Sequence, residues 1–279
     1  MNLKKHIRPG FLPACLLGLA VSITAFSVVM MLDHPDAVPY VKRERPVIEF
    51  YGDSITAGGH VNCAQTIPEC EDSTKSFAYL VAQELHADGI NHGRGGEGLF
   101  LHYSDAMPQN VHFKWARGTT AKEHFEASHS DTAPDAVVIE EGTNDTGARA
   151  VWLWGVRFAP AYWSYVRAVR KTYPQAKIFC LAPLNRAHRE DIQEALDWLD
   201  AQGPPTVDGE SSVGKGKDTK IFYVETAGWL GPEDFTDTLH PNASGQKILA
   251  RHLAAVLRYE LQGTPVAPGE GRTGKNLTP

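Results

Sequence analysis

Short apolar runs alternate with amphipathic segments along most of the chain. The apolar runs predict buried strands, because runs of this length bounded by polar or turn residues are typical of a sheet core. They cover 46–51, 135–141, 177–182 and 220–224, and a further short strand ends at Ile90 and Asn91. Helical spacing of apolar residues covers 76–85, 120–128, 159–173, 187–202 and 243–261. Strands that alternate with helices predict an α/β fold with a mainly parallel sheet.

A separate pattern occupies the N-terminus. Lys4, Lys5 and Arg8 precede an uncharged, mostly apolar run from Phe11 to Leu32, and such a run is long enough to span a bilayer as a helix. An uncleaved membrane anchor is favoured, a cleaved secretory signal is the alternative, and a buried core helix is the third interpretation. Positive charge on the short flank predicts that the rest of the chain lies outside the cytoplasm.

These patterns divide the chain into four parts. We predict an anchor or signal segment over 1–32, a polar linker over 33–45, one folded domain over 46–262 and a disordered tail over 263–279. The composition is that of a globular protein, with 42% hydrophobic and 22% charged residues and a net charge of -6. Because no basic stripe is interleaved with aromatic residues, no nucleic-acid partner is expected.

Two of the four cysteines flank a short polar loop. Cys63 and Cys70 enclose residues 64–69, and in an oxidising compartment such a pair can close the loop as a disulfide. Two free thiols remain the alternative.

Polar or glycine-rich blocks follow the predicted strands, where reactive groups collect in parallel sheets. Ser54, in Gly52-Asp53-Ser54-Ile55, is a candidate nucleophile, although it could also simply cap the next helix. Gly96, in the block Asn91 to Gly98, is a candidate backbone donor to an oxyanion or a flexible turn. Asn144, in Gly142-Thr143-Asn144-Asp145, is a second candidate oxyanion donor or a plain turn residue.

The last block precedes the final helix and supplies the base. Asp237 lies three residues before His240 in Asp237-Thr238-Leu239-His240-Pro241-Asn242, a spacing that lets the carboxylate curl back to the imidazole. The alternative is a helix-capping aspartate beside a surface histidine. Taken together, the blocks supply a nucleophile, a base, a group that orients the base and oxyanion donors beside the Ser54 N–H, which is the complete set for acyl transfer.

The four blocks resemble those of the SGNH (GDSL-like) hydrolases. GDSI, the glycine of NHGRGGEG, GTND and DTLHP match over roughly Val47 to Leu257. The resemblance implies a flavodoxin-like three-layer α/β/α sandwich, Ser54 as nucleophile, Gly96 and Asn144 in the oxyanion hole, and Asp237 with His240. GGEGL after GDSITAG, and GWL ahead of DTLHPN, look most like carbohydrate esterase family 2, which removes acetyl groups from saccharides. Those enzymes carry an N-terminal β-sandwich, whereas the residues before Ser54 are mostly predicted anchor and linker.

The function expected is therefore an extracytoplasmic serine esterase that removes O-acyl, and in particular acetyl, groups from a saccharide or polysaccharide. A lipase or thioesterase on longer acyl chains, acyl transfer to a sugar, and an inactive carbohydrate-binding module are the alternatives. The absence of a G-x-S-x-G elbow disfavours an α/β-hydrolase. No cofactor and no metal are expected, because the chain has no H-E-x-x-H metal site and no Walker loop. Trp152, Trp154 and Trp163 could line a sugar or acyl subsite or could pack in the core.

Overall fold

The computed structural model describes residues 37–99, 120–146, 158–200 and 218–262. Its strands are β1 (Val47–Gly52), β2 (Asp88–Asn91), β3 (Ala136–Glu140), β4 (Lys177–Leu181) and β5 (Ile221–Val224). Its helices are α1 (Ser54–Ala57), α2 (Phe77–Glu84), α3 (Ala121–Ser128), α4 (Phe158–Thr172), α5 (Arg189–Asp200) and α6 (Ala243–Gln262). Within the described ranges, every element predicted from the sequence is present, with ends that differ by one or two residues.

The strands form one parallel sheet in the order β2-β1-β3-β4-β5. This is the strand order of flavodoxin-like doubly wound sheets, whose ligand sites lie beyond the carboxyl ends of the strands. β2 pairs with one edge of β1, and β3 pairs with the other edge. The carboxyl ends of β1 and β3 therefore lie side by side. Ser54 and Asn144 follow these two strands.

Alternate residues of the strands face two separate apolar cores. Val137, Ile139, Ile178 and Cys180 pack against α3, α4 and α5 on one face, whereas neighbouring residues of the same strands pack against α2 and α6 on the other. Because successive side chains of a strand point to opposite faces, strands that are apolar throughout require helices on both sides of the sheet. The fold is thus an α/β fold with a parallel sheet, as the sequence pattern predicts, and the three-layer α/β/α sandwich that the resemblance to SGNH hydrolases implies.

Helix starts agree with the capping residues in the sequence. Thr120 accepts a hydrogen bond from the backbone N–H of Glu123 while the Glu123 side chain accepts from the Thr120 N–H, which completes a capping box at the start of α3. Ser76 caps α2 by accepting from the Tyr79 N–H. Such caps satisfy backbone donors that a helix end otherwise leaves without partners.

Part of the predicted linker hydrogen-bonds to the domain. The Val38 N–H donates to the Thr172 carbonyl oxygen at 2.8 Å, and the Tyr40 hydroxyl donates to Asp135 Oδ1 at 2.8 Å. The predicted anchor and tail, together with Trp152 and Trp154, lie outside the described residues. Among the residues that are described, no helix is long and apolar enough to cross a bilayer.

Candidate active site

Ser54 begins α1 directly beyond the end of β1. Asp53 caps this short helix, because its Oδ1 accepts from the Ile55 N–H at 2.8 Å. Gly52 is required by the tight turn between strand and helix, since a Cβ at this position would lie 2.2 Å from Thr56 Oγ1 and 2.6 Å from the Glu140 carbonyl oxygen. The turn therefore places the Ser54 hydroxyl at the carboxyl edge of the sheet.

A compact turn carries Asp237 and His240. The Thr236 N–H donates to the His240 carbonyl oxygen at 2.8 Å, and Phe235 forms an antiparallel bridge with Pro241. Asp237 Oδ1 accepts from the backbone N–H groups of Leu239 and His240, both at 2.7 Å. Two backbone N–H groups of the same turn thus hold the Asp237 carboxylate in place.

Ser54, His240 and Asp237 are joined by hydrogen bonds in series. Ser54 Oγ lies 2.8 Å from His240 Nε2, and His240 Nδ1 lies 2.8 Å from Asp237 Oδ2. Because an ionised carboxylate only accepts, this contact assigns the proton to Nδ1 and leaves Nε2 as the acceptor for the serine hydroxyl. The arrangement can deprotonate Ser54 and hold the resulting imidazolium.

The electrostatics of the two ionisable groups differ. Burial by itself raises the pKa of Asp237, but hydrogen bonds from the His240 and Leu239 backbone and from the His240 side chain outweigh it and lower this pKa to about 2. Burial lowers the pKa of His240, and the Asp237 carboxylate opposes that change. Asp237 is consequently ionised and His240 largely neutral near pH 7, as a general base needs.

The two candidate oxyanion residues lie beyond β2 and β3. Gly96 adopts a φ of 76°, in the left-handed region that favours glycine. Asn144 Nδ2 donates to the Glu97 carbonyl oxygen at 2.7 Å and lies 3.3 Å from Asp53 Oδ2. These contacts bring the end of β3 and the block after β2 together beside the residue that precedes Ser54.

Three buried carboxyl groups lie close to these donors. Burial raises the pKa of Asp53 to about 7 and raises the pKa of Glu140 and of Glu141 well above the ordinary value. The charge of Asp53 also raises the pKa of Glu140, whereas a hydrogen bond with Glu140 lowers the pKa of Asp53, so Glu140 is the member of the pair that more readily keeps its proton. In the sequence, Asp53 stands out only as part of a motif, and Glu140 and Glu141 only as part of a strand.

A further histidine, which no sequence motif marks, lies against the site. His60 Nδ1 is 3.1 Å from Asp237 Oδ2, and its ring is stacked on that of His240 with 4.1 Å between centroids. His60 lies in the loop after α1, where Cys63 and Cys70 are joined by a disulfide with 4.8 Å between their Cα atoms. The disulfide joins the two cysteines that the sequence predicts to pair.

His60, Asp237 and His240 are the one group of described residues with metal-ligand spacing, since their ligand atoms lie within 4.8 Å of one another. The two imidazoles are nearly parallel and both direct Nδ1 at the same carboxylate oxygen. In this structure the three residues are joined by hydrogen bonds from the two Nδ1 atoms to Asp237 Oδ2.

An α/β/α sandwich with serine, histidine and aspartate hydrogen-bonded in series at the carboxyl edge of its sheet has the architecture of a serine hydrolase. Residues 50–248 match the model of the GDSL-like Lipase/Acylhydrolase family, and the chain belongs to that family. The family confirms the resemblance to SGNH hydrolases.

Individual relatives include proteins named as carbohydrate esterases. The chain is 26% identical over 219 residues to "Cellulase/esterase CelE" of Acetivibrio thermocellus, a match that covers 77% of this chain and 25% of CelE. A family two carbohydrate esterase from Clostridium thermocellum, solved in complex with cellohexaose, is 26% identical with a TM-score of 0.59 and is matched over 80% of this chain and 65% of its own.

A second structural match shows the fold alone. The family 2 carbohydrate esterase of Corynascus thermopiles (Myceliophthora fergusii), solved with a carbohydrate binding domain, is 22% identical with a TM-score of 0.58, over 81% of this chain and 69% of that one. This chain spans a quarter of the curated relative and just under two thirds of the Clostridium structure.

Proposed function

We propose that the chain is a serine esterase that removes O-acyl groups, and acetyl groups in particular, from a saccharide. The observation that carries the proposal is the series of 2.8 Å contacts from Ser54 Oγ to His240 Nε2 and from His240 Nδ1 to Asp237 Oδ2. The saccharide comes from the relatives, because one is named a cellulase/esterase and others are named family 2 carbohydrate esterases.

The proposed reaction has two steps. His240 Nε2 takes the Ser54 proton as Oγ attacks the ester carbonyl carbon, and the same proton then passes to the departing sugar oxygen as the acyl-enzyme forms. A water molecule, deprotonated by His240, next attacks the acyl carbon and releases the carboxylic acid, and Ser54 recovers its proton. Asp237 keeps the imidazole in the Nδ1–H tautomer and stabilises the imidazolium.

The proposed oxyanion donors are the backbone N–H groups of Ser54 and Gly96 and the side chain of Asn144. The short bond from Asn144 Nδ2 to the Glu97 carbonyl oxygen holds the amide in place. The other contact of Nδ2, at 3.3 Å from Asp53, is long. A substrate oxyanion can therefore compete with Asp53 for that hydrogen.

The reaction is proposed to take place outside the cytoplasm. The Cys63–Cys70 disulfide supports this location, because disulfides persist in oxidising compartments and are rare in the cytosol. The apolar run from Phe11 to Leu32 would tether or export the domain.

The test compares p-nitrophenyl esters from acetyl to octanoyl and an acetylated cello-oligosaccharide, with released acid as the readout. We expect kcat/KM to be highest for acetyl and the acetylated sugar to be deacetylated. Ser54→Ala should lower kcat by about a million-fold, whereas the matched variant Ser128→Ala, whose hydroxyl caps the end of α3, should retain full activity. A maximum at octanoyl would contradict the saccharide assignment, and an active Ser54→Ala would contradict the mechanism.

A further inference from the structure

His60 contacts two of the three residues assigned to the reaction. It donates towards Asp237 Oδ2 at 3.1 Å and covers one face of His240, with the ring planes 20° apart. The side chains of His60 and His240 are only 15% and 12% exposed. His60 thus forms part of the wall that separates His240 from solvent.

The hydrogen bonds of Asp237 fix the protons on both imidazoles. Oδ1 is occupied by two backbone N–H groups, so both histidines share Oδ2. Because the carboxylate only accepts, both histidines carry a proton on Nδ1. Asp237 therefore divides its negative oxygen between His240 and a second donor.

The loop after α1 holds His60 in this position. His60 itself has a left-handed φ of 56°, and Gly59 before it donates its N–H to the Ser54 carbonyl oxygen at 2.7 Å. After it, the Asn62 N–H donates to the Cys70 carbonyl oxygen at 3.0 Å, next to the disulfide. Hydrogen bonds consequently hold both ends of the segment, one end to α1 and the other to the loop that the disulfide closes.

We propose that His60 is a positioning residue that sets the proton affinity of His240 by sharing Asp237 and covering the His240 ring. The inference depends on the proposed function only for its effect on turnover. His60 itself touches neither the ester nor Ser54 in the proposed reaction, and it acts through His240.

The surroundings of His240 support this role. Burial lowers the pKa of His240, Asp237 raises it, and positive charge on His60 lowers it. Among the described residues, Asp237 and His60 are the ionisable groups that act on the imidazole, while α1 contributes the Ser54 hydroxyl and the disulfide loop contributes the Thr66 hydroxyl, 3.5 Å from His60 Nε2. With Asp237 alone, His240 would be more basic and would be protonated over a wider range of acidic pH.

Three variants separate the contributions of His60. His60→Phe keeps a ring over His240 but has no N–H and no charge, His60→Asn keeps a donor at the position of Nδ1 without the ring or the charge, and His60→Ala removes all three. His86 also has a left-handed φ, 51°, and is exposed. His86→Phe, His86→Asn and His86→Ala therefore control for backbone strain at positive φ.

The primary measurement is the titration of the His240 imidazole by NMR in the full chain. We expect His240 to titrate about half a pH unit or more higher in His60→Ala and His60→Phe, and by less in His60→Asn, because each change removes one or more influences that disfavour the imidazolium. The His86 variants should leave the titration unchanged. If His240 titrates at the same pH in the wild type and all three His60 variants, the proposal is wrong.

The pH dependence of kcat/KM is the second measurement. Its acidic limb should move to higher pH in parallel with the NMR titration, with KM nearly unchanged. A fall in kcat with neither the limb nor the titration moved would show a purely structural role and would overturn the proposal. The NMR titration needs no turnover, so an active Ser54→Ala would contradict the proposed function while leaving the His60 test intact.

Discussion

Replacing Asp237 by asparagine should move the proton on neutral His240 from Nδ1 to Nε2. Leu239 and His240 both donate backbone N–H groups to Oδ1 at 2.7 Å. In the variant these donors keep the amide oxygen at that position, because the opposite orientation would direct an NH2 group at two N–H groups. The amide nitrogen then takes the place of Oδ2, 2.8 Å from His240 Nδ1, and two donors face each other. His240 can accept this bond only by moving its proton to Nε2, where it points at Ser54.

The expected loss follows from that tautomer. A His240 that carries its proton on Nε2 cannot accept the Ser54 proton, and the neutral amide no longer stabilises the imidazolium. We expect kcat to fall about 10⁴-fold, since the equivalent change in another serine hydrolase costs this much, which corresponds to about 5.5 kcal/mol of barrier. KM should change little, because Asp237 does not contact the substrate in the proposed mechanism.

Two readouts test this reasoning. Hydrolysis of p-nitrophenyl acetate gives kcat, and ¹⁵N chemical shifts of the His240 ring report which nitrogen carries the proton. Asp218→Asn is the matched control, because Asp218 also accepts a backbone N–H, that of Lys220, but lies before β5. A variant that keeps a tenth of the activity, or whose His240 retains the Nδ1–H tautomer, would refute the argument.

Three further predictions concern the surrounding residues. Cys63→Ala/Cys70→Ala should lower the free energy of unfolding by about 2.5 kcal/mol, the loop-closure entropy of so short a loop, and urea titration of oxidised wild type and variant measures it. Asn144→Ala should lower kcat by about 10²–10³-fold with little change in KM, because it removes one oxyanion donor; steady-state kinetics on p-nitrophenyl acetate would contradict that role if kcat fell less than threefold. Burial raises the pKa of Asp53 to about 7, so between about pH 4 and pH 7 the unfolded chain releases this proton while the folded chain keeps it, and the free energy of unfolding falls as pH rises. Asp53→Asn should make this fall smaller, because asparagine has no proton to release. Urea unfolding at pH 5 and pH 8 checks the sign, and an unchanged difference between the two pH values would contradict it.

The sequence predicts the central strands well because they are buried on both faces. The run over 135–141 becomes β3, Ala136–Glu140, in which every residue is buried. β2 is harder to predict, since all four of its residues are exposed at the edge of the sheet and only Ile90 is strongly apolar. Backbone pairing to β1 makes this segment a strand, and that pairing cannot be predicted from the periodicity of the side chains.

The residues assigned to the reaction are also visible in the sequence, because each block contains groups of known chemistry. Three of the blocks directly follow a strand, and the fourth precedes the last helix. His60 lacks such a signal. It is separated from Asp237 by 177 positions, it lies in a polar loop without periodicity, and a histidine in such a loop is ordinarily exposed. Only the path of the loop, with its left-handed turn and its hydrogen bonds to the serine helix, places the ring on His240.

The protonation of the acidic side chains divides them into two kinds that composition alone cannot distinguish. Asp53, Glu140 and Glu141 lie in places where burial raises the pKa, so protons remain among them and they can hold the geometry around Asn144 and Ser54 without placing several negative charges beside an oxyanion. Asp237 is about a quarter exposed and accepts four hydrogen bonds, and its pKa falls to about 2. In the proposed mechanism Asp237 must stay charged to support His240, and the hydrogen bonds that it accepts keep it ionised. Separation of carboxyl pKa values in this way marks acid–base assignments in a site.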